Sequence, residues 1–302
     1  MAAKADSTRT IFFALGANFA IFLAKGIAAL LSGSGAMLAE AVHSLADTGN
    51  QGLLLLGMHR AKRPPSPDYP LGFGKEIYFW SFLVAVLLFS VGGMFSLYEG
   101  LHKLSAPEPL NHPWIAVGVL VFAIIAESAS LRAALHEVNK VRGSHGLWHW
   151  FHESRQAELV VVFGEDLAAL LGLAFALVAV LLTMATGNPL FDAIGTMMIG
   201  VLLIVIAIFV AVEVKGLLIG QGVDPALKAQ IHTFLAGRAE LDEVYNVITL
   251  QLGDDVLVSI KAKMAAVPSV PDLIAAINTL ERDLRAQFVQ VRWSFFEPDD
   301  AA

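Results

Sequence analysis

The chain of 302 residues contains no cysteine. Disulfides, thiolate metal ligands and cysteine nucleophiles are therefore excluded, and any metal site must draw on His, carboxylate, amide or backbone oxygen. Charge is also scarce. Only 16% of residues are Asp, Glu, Lys or Arg against 56% hydrophobic, and mean hydropathy is +0.66, a balance that belongs to a polytopic membrane protein. Basic residues are outnumbered and the net charge is −7, which argues against nucleic acid as a partner. The N-terminal stretch MAAKADSTRT has no small-residue cleavage site after a short apolar core, so the first apolar segment is expected to be a retained span. Neither a His-Glu-x-x-His pair nor a serine nucleophile elbow occurs. An intramembrane hydrolase is thereby disfavoured, and the chain is not expected to be an enzyme.

What is present is length of apolar run. Segments at about 10–31, 36–58, 77–101, 114–135, 157–184 and 190–214 each reach the roughly 20 residues that a helix needs to cross the hydrocarbon core. The connectors SGSG, HKLSAPEPLNHP and ATGN hold Lys103 as their single basic residue, whereas those after the second and fourth segments hold Arg60, Lys62, Arg63, Lys75, Lys140, Arg142 and Arg155. The positive-inside rule, together with Lys4 and Arg9, then predicts both termini in the cytoplasm. Past residue 215 the style changes. DPALKAQIHTFLAGRA and SVPDLIAAINTLERDLRAQF read as helices, EVYNVITLQL and VLVSIKAKMA as strands about a Gly253-Asp254-Asp255 hairpin, and VQVRWSFFEP as a last strand. The expected organisation is a tail over 1–9, an all-α six-helix transmembrane domain over 10–215, and an α+β cytoplasmic domain of order αββαβ over 216–302.

The ionisable residues inside these apolar runs stand out, because a charge in a bilayer costs at least about 2.5 kcal/mol. In AEAVHSLADTGN, His43 and Asp47 are i and i+4 on one helix face, with Glu40 close to it. An imidazole with a carboxylate one turn away suits a divalent cation, and because both must shed protons to bind it, also proton exchange. The fifth segment carries adjacent Glu165 and Asp166, about 100° apart around a helix, so one of the two is expected to face a ligand. Glu127 is a candidate proton relay or packing residue, Asn18 a candidate partner of the site, and Lys25 is expected to snorkel or to pair with a carboxylate. Asp192 reads as a cap. His136, His145, His149 and His152 read as a loose set in a solvated loop.

Four stretches together resemble the cation diffusion facilitator family of divalent metal–proton antiporters: GSGAMLAEAVHSLADTGNQ, LGFGKEIYFW, FDAIGTMMIG and the αββαβ tail. The resemblance implies that His43 and Asp47 are second-span metal ligands. It also implies that the tail is a ferredoxin-like dimerisation domain. In the fifth span the family's usual ligand pair falls on Val161 and Glu165, so one ligand is missing, and the Glu165-Asp166 pair is similar to a branch with mitochondrial zinc-transporter-like members. Glu165, Asp166, Glu40 or water are the candidates to complete the set. The loop before the third span lacks the family's interface metal site.

These readings combine into an expectation. The chain is a homodimeric secondary transporter in a lipid bilayer, a bacterial inner membrane first, that exports a divalent metal against protons. Zn2+ is the first choice, Mn2+, Fe2+ or Co2+ the others, and no organic cofactor is expected. The alternative is a metal-binding sensor or structural dimer without transport.

Overall fold

A computed structural model of the chain describes residues 4–143 and 146–301. Helices occupy all six apolar segments: α1 (Lys4–Ser32), α2 (Gly35–Ala61), α3 (Glu76–Leu87) running through a π-helical turn (Leu88–Met94) into α4 (Phe95–Ser105), α5 (Pro113–Val141), α7 (Ala157–Thr186) and α8 (Leu190–Ile219). Among the described residues, four helices are long and apolar enough to cross a membrane: Glu76–Ser105, Pro113–Val141, Ala157–Thr186 and Leu190–Ile219. Asn18–Ser32 is a shorter apolar stretch. α2 is 27 residues long, but Glu40, His43, Asp47 and its basic last turn dilute its hydropathy.

The helix starts follow capping chemistry. The Ser34 side chain accepts from the Met37 N–H at 3.1 Å, and Asp192 of α8 adds a second cap from outside, accepting from the Gly35 N–H at 2.7 Å and from the Ser34 hydroxyl. Asp192 is thus a cap, though of α2 and not of its own helix. Lys103 holds the same corner, 3.6 Å from Asp192 and donating to the Gly33 carbonyl.

The stretch 136–152 differs from the loop expected there. His136 lies within α5, and a short helix α6 (Leu147–Glu153) carries His149 and His152, while His145 lies outside the described residues. The reason is burial of aromatic surface. Trp150 and Phe151 are buried and meet Phe163 of α7 with ring centroids 5.9 and 6.5 Å apart. His149 pairs with Glu153 at 2.9 Å, and His152 meets Glu213 of α8.

Buried side chains form two apolar groups within the helical part. One includes Met37, Leu88, Leu120, Leu173 and Leu203, and the other Tyr78, Val84, Val161, Val214 and Leu217. Past them come α9 (Pro225–Ala236), β1 (Leu241–Leu252), β2 (Asp255–Met264), α10 (Val270–Gln287) and β3 (Val291–Pro298). The sheet order is β1-β2-β3, with β1/β2 antiparallel and β2/β3 parallel. Parallel pairing needs a crossover, which α10 supplies. Alternate residues of β2, Val256, Val258, Ile260 and Ala262, are buried together with Ile231 and Leu235 of α9 and Leu284 of α10. Gly253 turns the hairpin at φ +69°, where a Cβ is disfavoured. Its N–H donates to the Tyr78 hydroxyl at 2.8 Å, fastening the hairpin tip to the start of α3.

Candidate functional site

One face of α2 presents Glu40, His43, Ser44, Asp47 and Asn50, a spacing that keeps them within about a third of the helix circumference. His43 is fully buried, and its Nε2 lies 3.6 Å from Asp47 Oδ2 across one turn. One turn further on, buried Asn50 donates from Nδ2 to Glu165 Oε1 of α7 at 2.5 Å. A buried carboxylate requires such a donor, and this bond is what brings the fifth-segment carboxylate to the α2 face.

Asp166 goes elsewhere. It accepts from Ser130 Oγ of α5 at 3.0 Å, in keeping with the angular offset of adjacent helical residues. Val161, at the position of the missing family ligand, is buried in the apolar core. Glu127 on α5 and Asn18 on α1 are both half-buried.

Glu40 is held by α1. Lys25 Nζ donates to Glu40 Oε2 at 3.1 Å and to Ser44 Oγ at 2.7 Å, and Lys25 and Glu40 are both fully buried. The other carboxylate oxygen faces Gly172 of α7, where an added Cβ would collide with it. The π-helical turn flanks the opposite side of His43, since a Cβ built on Gly92 would lie 3.8 Å from His43 Nδ1. Such turns recur at functional positions.

Several buried polar atoms on this face make no hydrogen bond among the described residues: both His43 nitrogens, Asp47 Oδ1, Asn50 Oδ1 and Glu40 Oε1. Buried polar groups ordinarily find a partner, so this concentration marks the face as built for something other than packing. The donor set is one imidazole, carboxylates and an amide oxygen, the chemistry of a borderline divalent cation. Among the described residues, no three His, Asp or Glu side chains stand close enough together to hold an ion as they are placed.

A cavity of about 1040 Å³ opens between the helices and the sheet domain, lined among others by Lys62, Tyr78, Arg155, Glu158 and Asp254. Glu158 precedes Glu165 by two helical turns, about 10.5 Å of rise, on the same side of α7. The cavity mouth and the α2–α7 face are thus joined along one helix.

The sequence reading did not single out Asn50. The signal was available as the third member of an i, i+4, i+7 series with His43 and Asp47 in an otherwise apolar helix.

Known proteins with similar sequences include proton-coupled zinc antiporters and metal tolerance proteins. The chain is 33% identical over 247 residues to the mitochondrial proton-coupled zinc antiporter SLC30A9 of Xenopus laevis, a match covering 81% of this chain and 44% of that protein. The human protein of the same name is 32% identical over 231 residues, with coverage of 76% and 41%. Metal tolerance protein C4 of Arabidopsis thaliana is 32% identical over 242 residues, with coverage of 80% and 53%. The chain therefore spans about half or less of the length of these relatives. The family model of the cation efflux transmembrane domain matches residues 11–219, most of the chain. By that match, and by the motifs on α2 and α8, the chain belongs to the cation efflux family, the cation diffusion facilitators.

Proposed function

We propose that this chain is a six-span secondary transporter that exchanges a divalent transition metal cation for protons, with Zn2+ as its first substrate. The reading is carried by one observation: His43, Asp47 and Asn50 line one face of α2 with polar atoms that lack hydrogen-bond partners among the described residues, and Asn50 is bonded to Glu165 of α7. His43 and Asp47 are the first ligands. Glu165 completes the set when α7 moves against α2, a rocking motion about a midplane site of the kind other secondary transporters use. Because His43 and the carboxylates must lose protons to bind metal, binding on one side and release on the other exchange protons for metal.

Asp166 and Glu127 suit the proton limb of this cycle. Asp166 is bonded to Ser130, one turn from Glu127 on α5 and away from the metal ligands. The zinc antiporters among the relatives favour Zn2+, while a donor set rich in carboxylate also admits Mn2+, Fe2+ and Co2+.

The finer architecture is part of the same proposal. Residues 10–215 form the six-span domain and 216–302 a ferredoxin-like cytoplasmic domain through which two copies pair. The basic connectors put both termini in the cytoplasm, of a bacterium with the inner membrane as its location. The cavity at Glu158 is then the cytoplasmic vestibule.

Reconstitution into proteoliposomes tests this. Imposing a pH gradient should drive uptake of Zn2+, read with an internal fluorescent chelator, and collapsing the gradient with a protonophore should stop it. Metal binding by purified protein without flux under any gradient would favour a sensor or structural dimer instead.

A further inference from the structure

Lys25 is a fully buried cation one helix away from the candidate ligands. Its ammonium donates to Glu40 Oε2 and to Ser44 Oγ. Glu40 lies one turn before His43 on the same face of α2, about 4.5 Å of rise toward the Gly35 end. On α2 it is the next carboxylate along the face that carries His43 and Asp47. A purely structural ion pair in a dry interior satisfies both carboxylate oxygens, because any remainder is costly. Here Glu40 Oε1 makes no hydrogen bond among the described residues and faces Gly172, whose lack of a side chain leaves room for it.

We propose that Lys25 is a specificity-determining residue, a tethered cation that holds Glu40 out of the coordination sphere of the transported ion. The inference rests on the transporter reading above. With Lys25 in place, α2 offers the ion one imidazole and one carboxylate. With Lys25 removed, α2 offers one imidazole and two carboxylates. The second set is harder and more negative, so it binds divalent ions more tightly and improves most for hard Mn2+. Transport requires release as well as capture, and a site that holds its ion too well turns over slowly. The ammonium thus trades affinity for turnover and biases the site toward borderline Zn2+.

The test is binding of Zn2+ and Mn2+ to the purified full chain, by competition with a chelating dye, alongside proteoliposome flux. Lys25→Met should bind Mn2+ about tenfold more tightly, with a smaller gain for Zn2+ and slower flux of both. Lys25→Met/Glu40→Gln should return both affinities to within about twofold of wild type, because the added carboxylate is gone. Glu40→Gln alone should show no gain for either metal, since it removes the carboxylate that Lys25→Met would release.

Monodisperse Lys25→Met with no gain in Mn2+ affinity overturns the inference, as does a gain of the same size that persists in Lys25→Met/Glu40→Gln. If Lys25→Met does not fold because it leaves a buried charge unpaired, Lys25→Gln, which keeps a donor for Glu40 but no charge, takes its place: a Mn2+ affinity gain of at least about threefold supports the inference and no gain overturns it. Wild-type protein that neither binds nor moves either metal overturns the transporter reading itself. Unchanged affinity in Lys25→Met beside active wild type overturns the role of Lys25 alone.

Discussion

The Asn50 side-chain amide of α2 donates to the Glu165 carboxylate of α7 at 2.5 Å, and both residues are buried. This bond crosses the interface on which the proposed site depends. It brings Glu165 to the α2 face one turn from Asp47, and Asn50 Oδ1 makes no hydrogen bond among the described residues.

Removing the amide should therefore cost both stability and transport. Asn50→Ala leaves a buried carboxylate without its donor, a loss of about 1–3 kcal/mol. We expect a lower melting temperature in detergent and a Zn2+ flux reduced at least about tenfold. Asn50→Asp, which sets a second carboxylate against Glu165, should impair flux at high pH more than at low pH, since protonation relieves the repulsion. Flux that is independent of Asn50 would show that the contact is packing alone.

The two adjacent carboxylates of α7 should separate in their effects. Glu165→Gln is expected to abolish metal binding along with flux. Asp166→Asn, whose parent side chain is turned to Ser130 of α5, should keep metal affinity within about threefold but shift the pH dependence of flux. Dye competition and pH-jump uptake on the same preparations resolve the two.

Packing around Glu40 gives a stability prediction. Gly172→Ala drives a methyl group into Glu40 Oε1, and Lys25, bonded to the other carboxylate oxygen, restrains the side chain from swinging away. Overpacking of this kind costs about 1–3 kcal/mol, and thermal unfolding of the purified chain measures it. A variant as stable as wild type would mean that α7 and α2 are further apart than this contact requires.

Outside the membrane-spanning helices, Lys261 and Asp299 pair at 2.9 Å. The hydrogen bond from Lys261 holds the Asp299 carboxyl below its ordinary range, and the same bond raises the Lys261 ammonium. A depressed carboxyl adds stability that is present above its unfolded pKa and is lost as pH falls through the folded one. A raised ammonium adds stability that is present below its unfolded pKa and is lost as pH rises through the folded one. The pair therefore contributes across neutral pH and fades at both extremes. Asp299→Asn should remove the acid-side part of the decline in melting temperature, by a small amount because the pair is solvent-screened.

Local signals in the sequence were legible and distant ones were not. Residues i and i+4 share a helix face whatever the fold, so His43 and Asp47 could be paired from spacing alone. The hairpin at Gly253 was readable for the same reason. The partner of Glu165 depends on how α7 packs on α2, 115 positions away in sequence, and no local pattern encodes that. Lys25 is legible as a cation that snorkels or pairs with a carboxylate, but its burial and its choice of Glu40 are tertiary facts. Asp192 reads as a cap by residue type, yet the helix it caps is α2, brought to it by the fold. The π-helical turn at 88–94 leaves no mark in composition. The loop expected around His149 is a helix because Trp150 and Phe151 find a groove against α7, which a polar, histidine-rich segment does not announce.

In the proposed transporter, α2 and α7 hold the transported ion between them through His43, Asp47 and Glu165. The most direct measurement is the initial rate of pH-driven Zn2+ uptake into proteoliposomes for wild type, Asp47→Ala, Glu165→Gln and the double variant, at matched protein orientation and density. The account predicts active wild type, loss of at least about tenfold in each single variant, and no further loss in the double, because both residues serve one site. Wild-type rates in Asp47→Ala or Glu165→Gln would contradict it.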